Sequence, residues 1–128
     1  MTLDVTGLSL RDLTSCGGCA AKADASLLKL LRSAAYDQQG IDTLVGLAAP
    51  DDAAVTAINE TTSLITTVDF FPPVVSDAFE YGYVSALNSL SDIYAMGGLA
   101  KTALLVCGFP KEIADAEISA CVSGAALA

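Results

Sequence analysis

The stretch from Val68 to Gly98, VDFFPPVVSDAFEYGYVSALNSLSDIYAMGG, leaves this chain few ways to fold. Ser63–Asp69, which leads into it, is short and rich in β-branched residues. That predicts a strand in which Ile65, Thr67 and Asp69 share one face by the period of two, with Asp69 at its C-terminal end. Pro72 and Pro73 have no N–H to give to a ladder and hold the chain extended, so the sheet ends there. A helix is expected from near Asp77, with Glu80 as its capping-box partner, to Gly97-Gly98, where glycine stops it.

That helix carries two distinct faces. Phe79, Tyr83, Ala86, Leu90 and Ile93 recur at spacings of three and four, an apolar stripe of the kind that packs on a sheet. Ser85, Asn88 and Asp92 recur at the same spacings elsewhere around the helix. A solvated polar face is one reading of them. No Lys or Arg occurs from Asp77 to Leu99, however, and a carboxylate among apolar neighbours is unfavourable unless a cation or hydrogen bonds offset it. Asn88 and Asp92 are therefore candidates for a metal site.

Composition narrows the function. With 128 residues there is room for one domain with one core. Although 53% of residues are hydrophobic, no apolar run is long enough to span a bilayer. The opening Met1-Thr-Leu-Asp-Val-Thr-Gly7 lacks the charged and apolar regions of a signal peptide, which makes the cytoplasm the expected location. Six basic against fifteen acidic residues give a net charge of −9, which argues against a nucleic-acid partner. An anionic nucleotide would have to be met by metal ions and backbone amides. Histidine is absent, so neither the usual zinc ligand nor the usual general base is available. The four cysteines are expected as thiols rather than disulfides.

Along the chain, a short strand is expected around Leu8–Leu13. Thr14–Lys22, TSCGGCAAK, is glycine-rich and can bring backbone amides close to a ligand, without the spacing of a Walker A loop. Cys16 and Cys19 form a C-x-x-C, read as a redox pair or half a zinc site. No second such pair and no histidine follow, which argues against zinc. A helix from Asp24 to about Gln39 would put Leu27, Leu28, Leu31 and Ala35 on one face. Pro50-Asp-Asp-Ala-Ala-Val55 leads into a strand, and Asn59–Thr62 turns the chain back as a hairpin. Thr102–Phe109 is continuously apolar and is read as a strand buried on both faces, with Cys107 inside it. Glu112–Leu127 is read as a helix with Ile113, Ala116, Ile118 and Val122 inward, and Cys121 as a small core residue.

The run DFFPPVVSDAFEYGYVSALNSLSDIYAMGG resembles the signature of the selenide, water dikinases (selenophosphate synthetases), within the aminoimidazole ribonucleotide synthetase-like (PurM-like) superfamily. Asp51-Asp-Ala-Ala-Val55 is similar to a second element of that superfamily. The resemblance implies an α/β (α+β) domain, a mixed sheet covered by helices on one face, that pairs through its sheet edge with a second copy to close a barrel. It implies that 1–128 form the N-terminal ATP-binding domain, with 1–23 a mobile glycine-rich segment, and that the family's C-terminal domain is absent.

The activity implied is conversion of ATP, selenide and water to selenophosphate, AMP and orthophosphate, with Mg2+ as cofactor. Asp52 and Asp92 are implied on magnesium, and Lys22, Ala49, Pro50, Asp51, Asp69 and Asp92 toward ATP. Cys19 and Lys22 are implied as the catalytic pair, the thiol near selenium and the amine against phosphate. A lysine close by would lower the thiol's pKa and raise its thiolate fraction. The chain departs from the pattern at Ala21, Ser76 and Ala78, and its relatives are expected to be more than twice as long. The alternatives are a domain of another superfamily kinase, such as a thiamine-monophosphate kinase, and a dimerisation domain without catalysis.

Overall fold

The computed structural model describes residues 12, 29, 30, 33, 42–47 and 51–128. Three neighbouring strands, β1 (Thr43–Val45), β2 (Ala54–Asn59) and β3 (Thr62–Thr66), form an antiparallel sheet in the order β1-β2-β3. The expected hairpin joins β2 and β3, with Ala54 opposite Thr66 and Asn59 opposite Thr62. Its turn is closed locally, because Asn59 Oδ1 accepts hydrogen bonds from the Thr61 backbone N–H at 3.0 Å and hydroxyl at 3.1 Å. β1 was not legible in the sequence: it is three residues long and leaves Leu44 exposed.

The ladder stops at Thr66, so Asp69 lies beyond the strand rather than at its end. The period of two nevertheless persists past the last pair. Ile65, Thr67 and Asp69 are half-buried while Thr66, Val68 and Phe70 are exposed.

The described residues gather into two compact units, Asp69–Asn88 with Thr102–Ala128 in one, and the sheet with Ser89–Lys101 in the other. The central helix, α1 (Ala78–Ala95), begins and ends where the sequence predicts. Asp77 Oδ1 accepts the Glu80 N–H at 2.8 Å, the cap of the first turn. At the other end Gly97 takes φ +71°, its N–H donates to the Tyr94 carbonyl at 2.9 Å, and the Gly98 N–H reaches Ile93 O at 2.9 Å. These are the paired bonds of a Schellman stop.

The second helix, α2 (Asp115–Leu127), packs against the first turns of α1. Contact is made through glycine: a Cβ on Gly82 would overlap the Cys121 carbonyl, and one on Gly124 the Phe79 carbonyl. The core of this unit is Ala78 and Cys121, with Tyr81, Phe109, Ile113 and Ala120 packed on it. Small residues let the two backbones approach, and this shifts the buried faces from those the spacing predicts. Phe79 and Tyr83 are partly exposed, and α2 buries Cys121 and Gly124 instead of Ala116 and Val122.

The strand expected over Thr102–Phe109 is absent. The segment has no regular structure, Leu104 is 97% exposed, and Cys107 is exposed rather than in the core. Of its eight residues only Thr102, Val106 and Phe109 are strand formers, so hydrophobicity is weakly backed by strand propensity. The helix read over 24–39 lies outside the described residues apart from Lys29, Leu30 and Ser33, which are helical, and the strand read over 8–13 apart from Asp12. No helix among the described residues is long and apolar enough to cross a membrane.

Candidate functional site

The antiparallel register brings the start of β2 beside the end of β3, and the residues flanking both line a recess of about 260 Å³. Asp51, Asp52 and Ala53 border it from one side, Thr66, Thr67 and Val68 from the other. Ala53 is buried and anchors the turn, while Asp51 and Asp52 stay exposed. The Asp52 N–H donates to Asp51 Oδ1 at 3.0 Å, a local bond that turns the chain into β2.

In the same unit, the Thr67 hydroxyl donates to Asp92 Oδ2 at 2.7 Å. Both side chains are half-buried. The end of α1 is held there by packing, since Ile65 and Ile93 both border Gly98. Asp92 is thus one hydrogen bond away from the wall of the recess that carries Asp51 and Asp52.

In the other unit, the Asn88 amide donates to Asp69 Oδ2. The neighbouring chain is tied to α1 as well: the Tyr81 hydroxyl donates to the Phe71 carbonyl at 2.6 Å, and the two rings meet edge to face at 6.2 Å. Burial pushes the Tyr81 phenol above its ordinary pKa, partly offset by the polar Ser85 side chain, with Cys121 and Cys107 adding to the rise. Burial likewise raises the Cys121 thiol.

Two of the polar residues singled out on α1 are therefore joined to side chains from outside the helix. Asn88 holds Asp69, and Asp92 is held by Thr67. The sequence placed Thr67 on the Ile65–Asp69 face but gave it no role; that shared face was the signal. Cys19, Lys22, Ala49 and Pro50 lie outside the described residues. Among the described residues, no three His, Cys, Asp or Glu side chains stand together as a ready metal cage. The donors present at the recess and on Asp92 are all oxygens. They fit a small hard cation, because Mg2+ takes one or two carboxylates and keeps much of its water.

Residues 50–128 match the family model described as AIR synthase related protein, N-terminal domain. The chain belongs to that family. As an AIR synthase related N-terminal domain it combines helices with a sheet, here antiparallel throughout the described residues. It is similar to "Selenide, water dikinase" of Myxococcus xanthus (strain DK1622), 43% identical over 115 residues that make up 90% of this chain and 33% of the relative. A second similar protein, "Selenide, water dikinase" of Burkholderia pseudomallei (strain K96243), is 41% identical over 120 residues, 93% of this chain and 34% of its own. The protein of the same name from Agathobacter rectalis is 44% identical over 98 residues, covering 76% of this chain and 29% of the relative. The chain spans about a third of the length of the curated relatives it matches. No solved structure matches it.

Proposed function

We propose that this domain serves the ATP-dependent phosphorylation of selenide, in which ATP, selenide and water give selenophosphate, AMP and orthophosphate. The observation that carries the reading is 41% identity over 120 residues to a relative named for that reaction. The engagement of Asp92 by the Thr67 hydroxyl supports it, because a carboxylate on a solvated helix face has no need of such a partner.

Asp52 and Asp92 would hold Mg2+. When bound, the ion supplies charge neutralisation for phosphate oxygens. Asp69, steadied by Asn88, Lys22 and the backbone at Ala49–Asp51 are the proposed nucleotide contacts. Lys22 would set a positive charge against the transferred phosphoryl group, where preorganised charge stabilises the transition state most. Cys19 would meet the selenium as a thiolate kept available by Lys22. The net charge of −9 supports a site that relies on metal and backbone amides rather than on a basic patch, and argues against nucleic acid as a partner. We place the protein in the cytoplasm as a homodimer formed through the sheet edge.

Isothermal titration of the 128-residue chain with Mg-ATP tests the proposal. Saturable binding that Asp92→Ala abolishes, in a variant with unchanged circular dichroism, is the expected result. No heat of binding at millimolar ATP would leave a scaffold without a nucleotide site and overturn it.

A further inference from the structure

Thr67 connects two features. It lines the recess that carries Asp51 and Asp52, and its hydroxyl donates to Asp92 Oδ2 at 2.7 Å. That bond commits one oxygen of the carboxylate, Oδ2, to Thr67. Threonine suits this task. Its β-branch restricts χ1, which narrows the directions in which the hydroxyl is presented. The backbone supports the same geometry. Thr67 follows β3 directly, and Ile65, its neighbour on the same face, borders Gly98, as does Ile93, one residue along α1 from Asp92.

We propose that Thr67 is a positioning residue for a divalent cation, orienting the Asp92 carboxylate one hydrogen bond away from the recess lined by Asp51 and Asp52. The inference rests on the reading of Asp92 as a metal ligand given above. Thr67 touches neither nucleotide nor selenium in this scheme and acts through Asp92. Residues that orient a metal's carboxylate ligands typically set its affinity by 10- to 100-fold.

The test uses MnCl2 as probe and the electron paramagnetic resonance signal of free Mn2+ as readout, on the whole chain. Thr67→Val, which keeps the shape and removes the hydroxyl, is expected to weaken Mn2+ binding by about 10- to 100-fold. Thr67→Ser, which restores the donor, is expected to bind as the parent does. In an Asp92→Asn background the Thr67→Val change is expected to have no further effect, a non-additivity that a merely structural role would not give. Parent-like binding by Thr67→Val, equal weakening by Thr67→Ser, or full additivity each overturns the inference while leaving Asp92 a ligand. Parent-like binding by Asp92→Asn, or no Mn2+ uptake by the parent chain, overturns the metal site itself and the inference with it.

Discussion

Gly82 lies so close to the backbone carbonyl of Cys121 that a Cβ at this position has no room. The obstacle is main chain, which cannot rotate aside as a side chain would. Alanine is ordinarily the better helix former by about 1 kcal/mol, but here overpacking outweighs propensity, at about 1–3 kcal/mol. Gly82→Ala is therefore expected to destabilise the chain, and Gly124→Ala, which would meet the Phe79 carbonyl, to do the same. Urea titrations would check both; a stabilised Gly82→Ala variant would show that α1 and α2 are not packed this way.

The two ends of α1 give separable effects. Asp77→Ala removes the acceptor of the Glu80 N–H and is expected to cost about 1 kcal/mol, with Asp77→Ser recovering most of it. Gly97→Ala forces a Cβ into a left-handed conformation at φ +71°, expected to cost about 1–2 kcal/mol. Gly97→Asn should cost less than Gly97→Ala, since Asn tolerates that region. Chemical denaturation of the three single variants and Gly97→Asn measures each term.

Stability should fall in alkali. Tyr81 and Cys121 both have folded pKa values above their ordinary ones, chiefly through burial, so folding favours the protonated forms. The unfolded chain releases these protons first as pH rises, and its gain in charge draws the equilibrium toward it. The contribution is fully present below about pH 8.5, and is lost as pH climbs through the ordinary thiol and phenol values, about 8.5 and about 10, toward the higher folded ones. Cys121→Ala should flatten the first part of the decline and Tyr81→Phe the second, as read from urea midpoints at successive pH values.

The thiols should also differ in reactivity. Cys107 is exposed and Cys121 is buried against Ala78. Brief alkylation with iodoacetamide followed by peptide mass mapping should modify Cys107 well before Cys121. Equal rates would place Cys107 back in a core.

Asn88→Ala removes the amide that donates to Asp69, a half-buried carboxylate. The expected destabilisation is about 1–3 kcal/mol. Asn88→Asp, which sets a second carboxylate there, should be worse at neutral pH and recover in acid. If both variants match the parent in urea, the pair contributes nothing to the fold.

The sequence was most legible where a residue type admits one local conformation. Asp77 with Glu80 marked the start of α1, Gly97-Gly98 its end, and Asn59–Thr62 the hairpin, and each is present. Faces were harder to read. The spacing of Phe79 and Tyr83 pointed to an apolar stripe, but Gly82 and Gly124 allow a backbone approach that rotates the buried side toward small residues, and periodicity does not encode how close two helices come. Thr102–Phe109 failed for a related reason, since an apolar run specifies neither its partners nor its period. Among the candidate residues, Asp69 and Asp92 stood out by their positions on a strand face and a helix face, and Asp52 through the resemblance of Asp51–Val55 to a family element. The bonds that hold two of them come from Thr67 and Asn88, and Thr67 lies 25 positions from Asp92, a pairing that only tertiary structure reveals.

The sheet has a further consequence for how the chain assembles. Its strands are consecutive, and a two-residue connection between β2 and β3, tied by the Asn59 side chain, demands very little loop-closure entropy. That ribbon can zip from its own tip on a microsecond timescale, before distant segments arrive. The wall that later bears Asp52 and Thr67 is then drafted early, by neighbours alone.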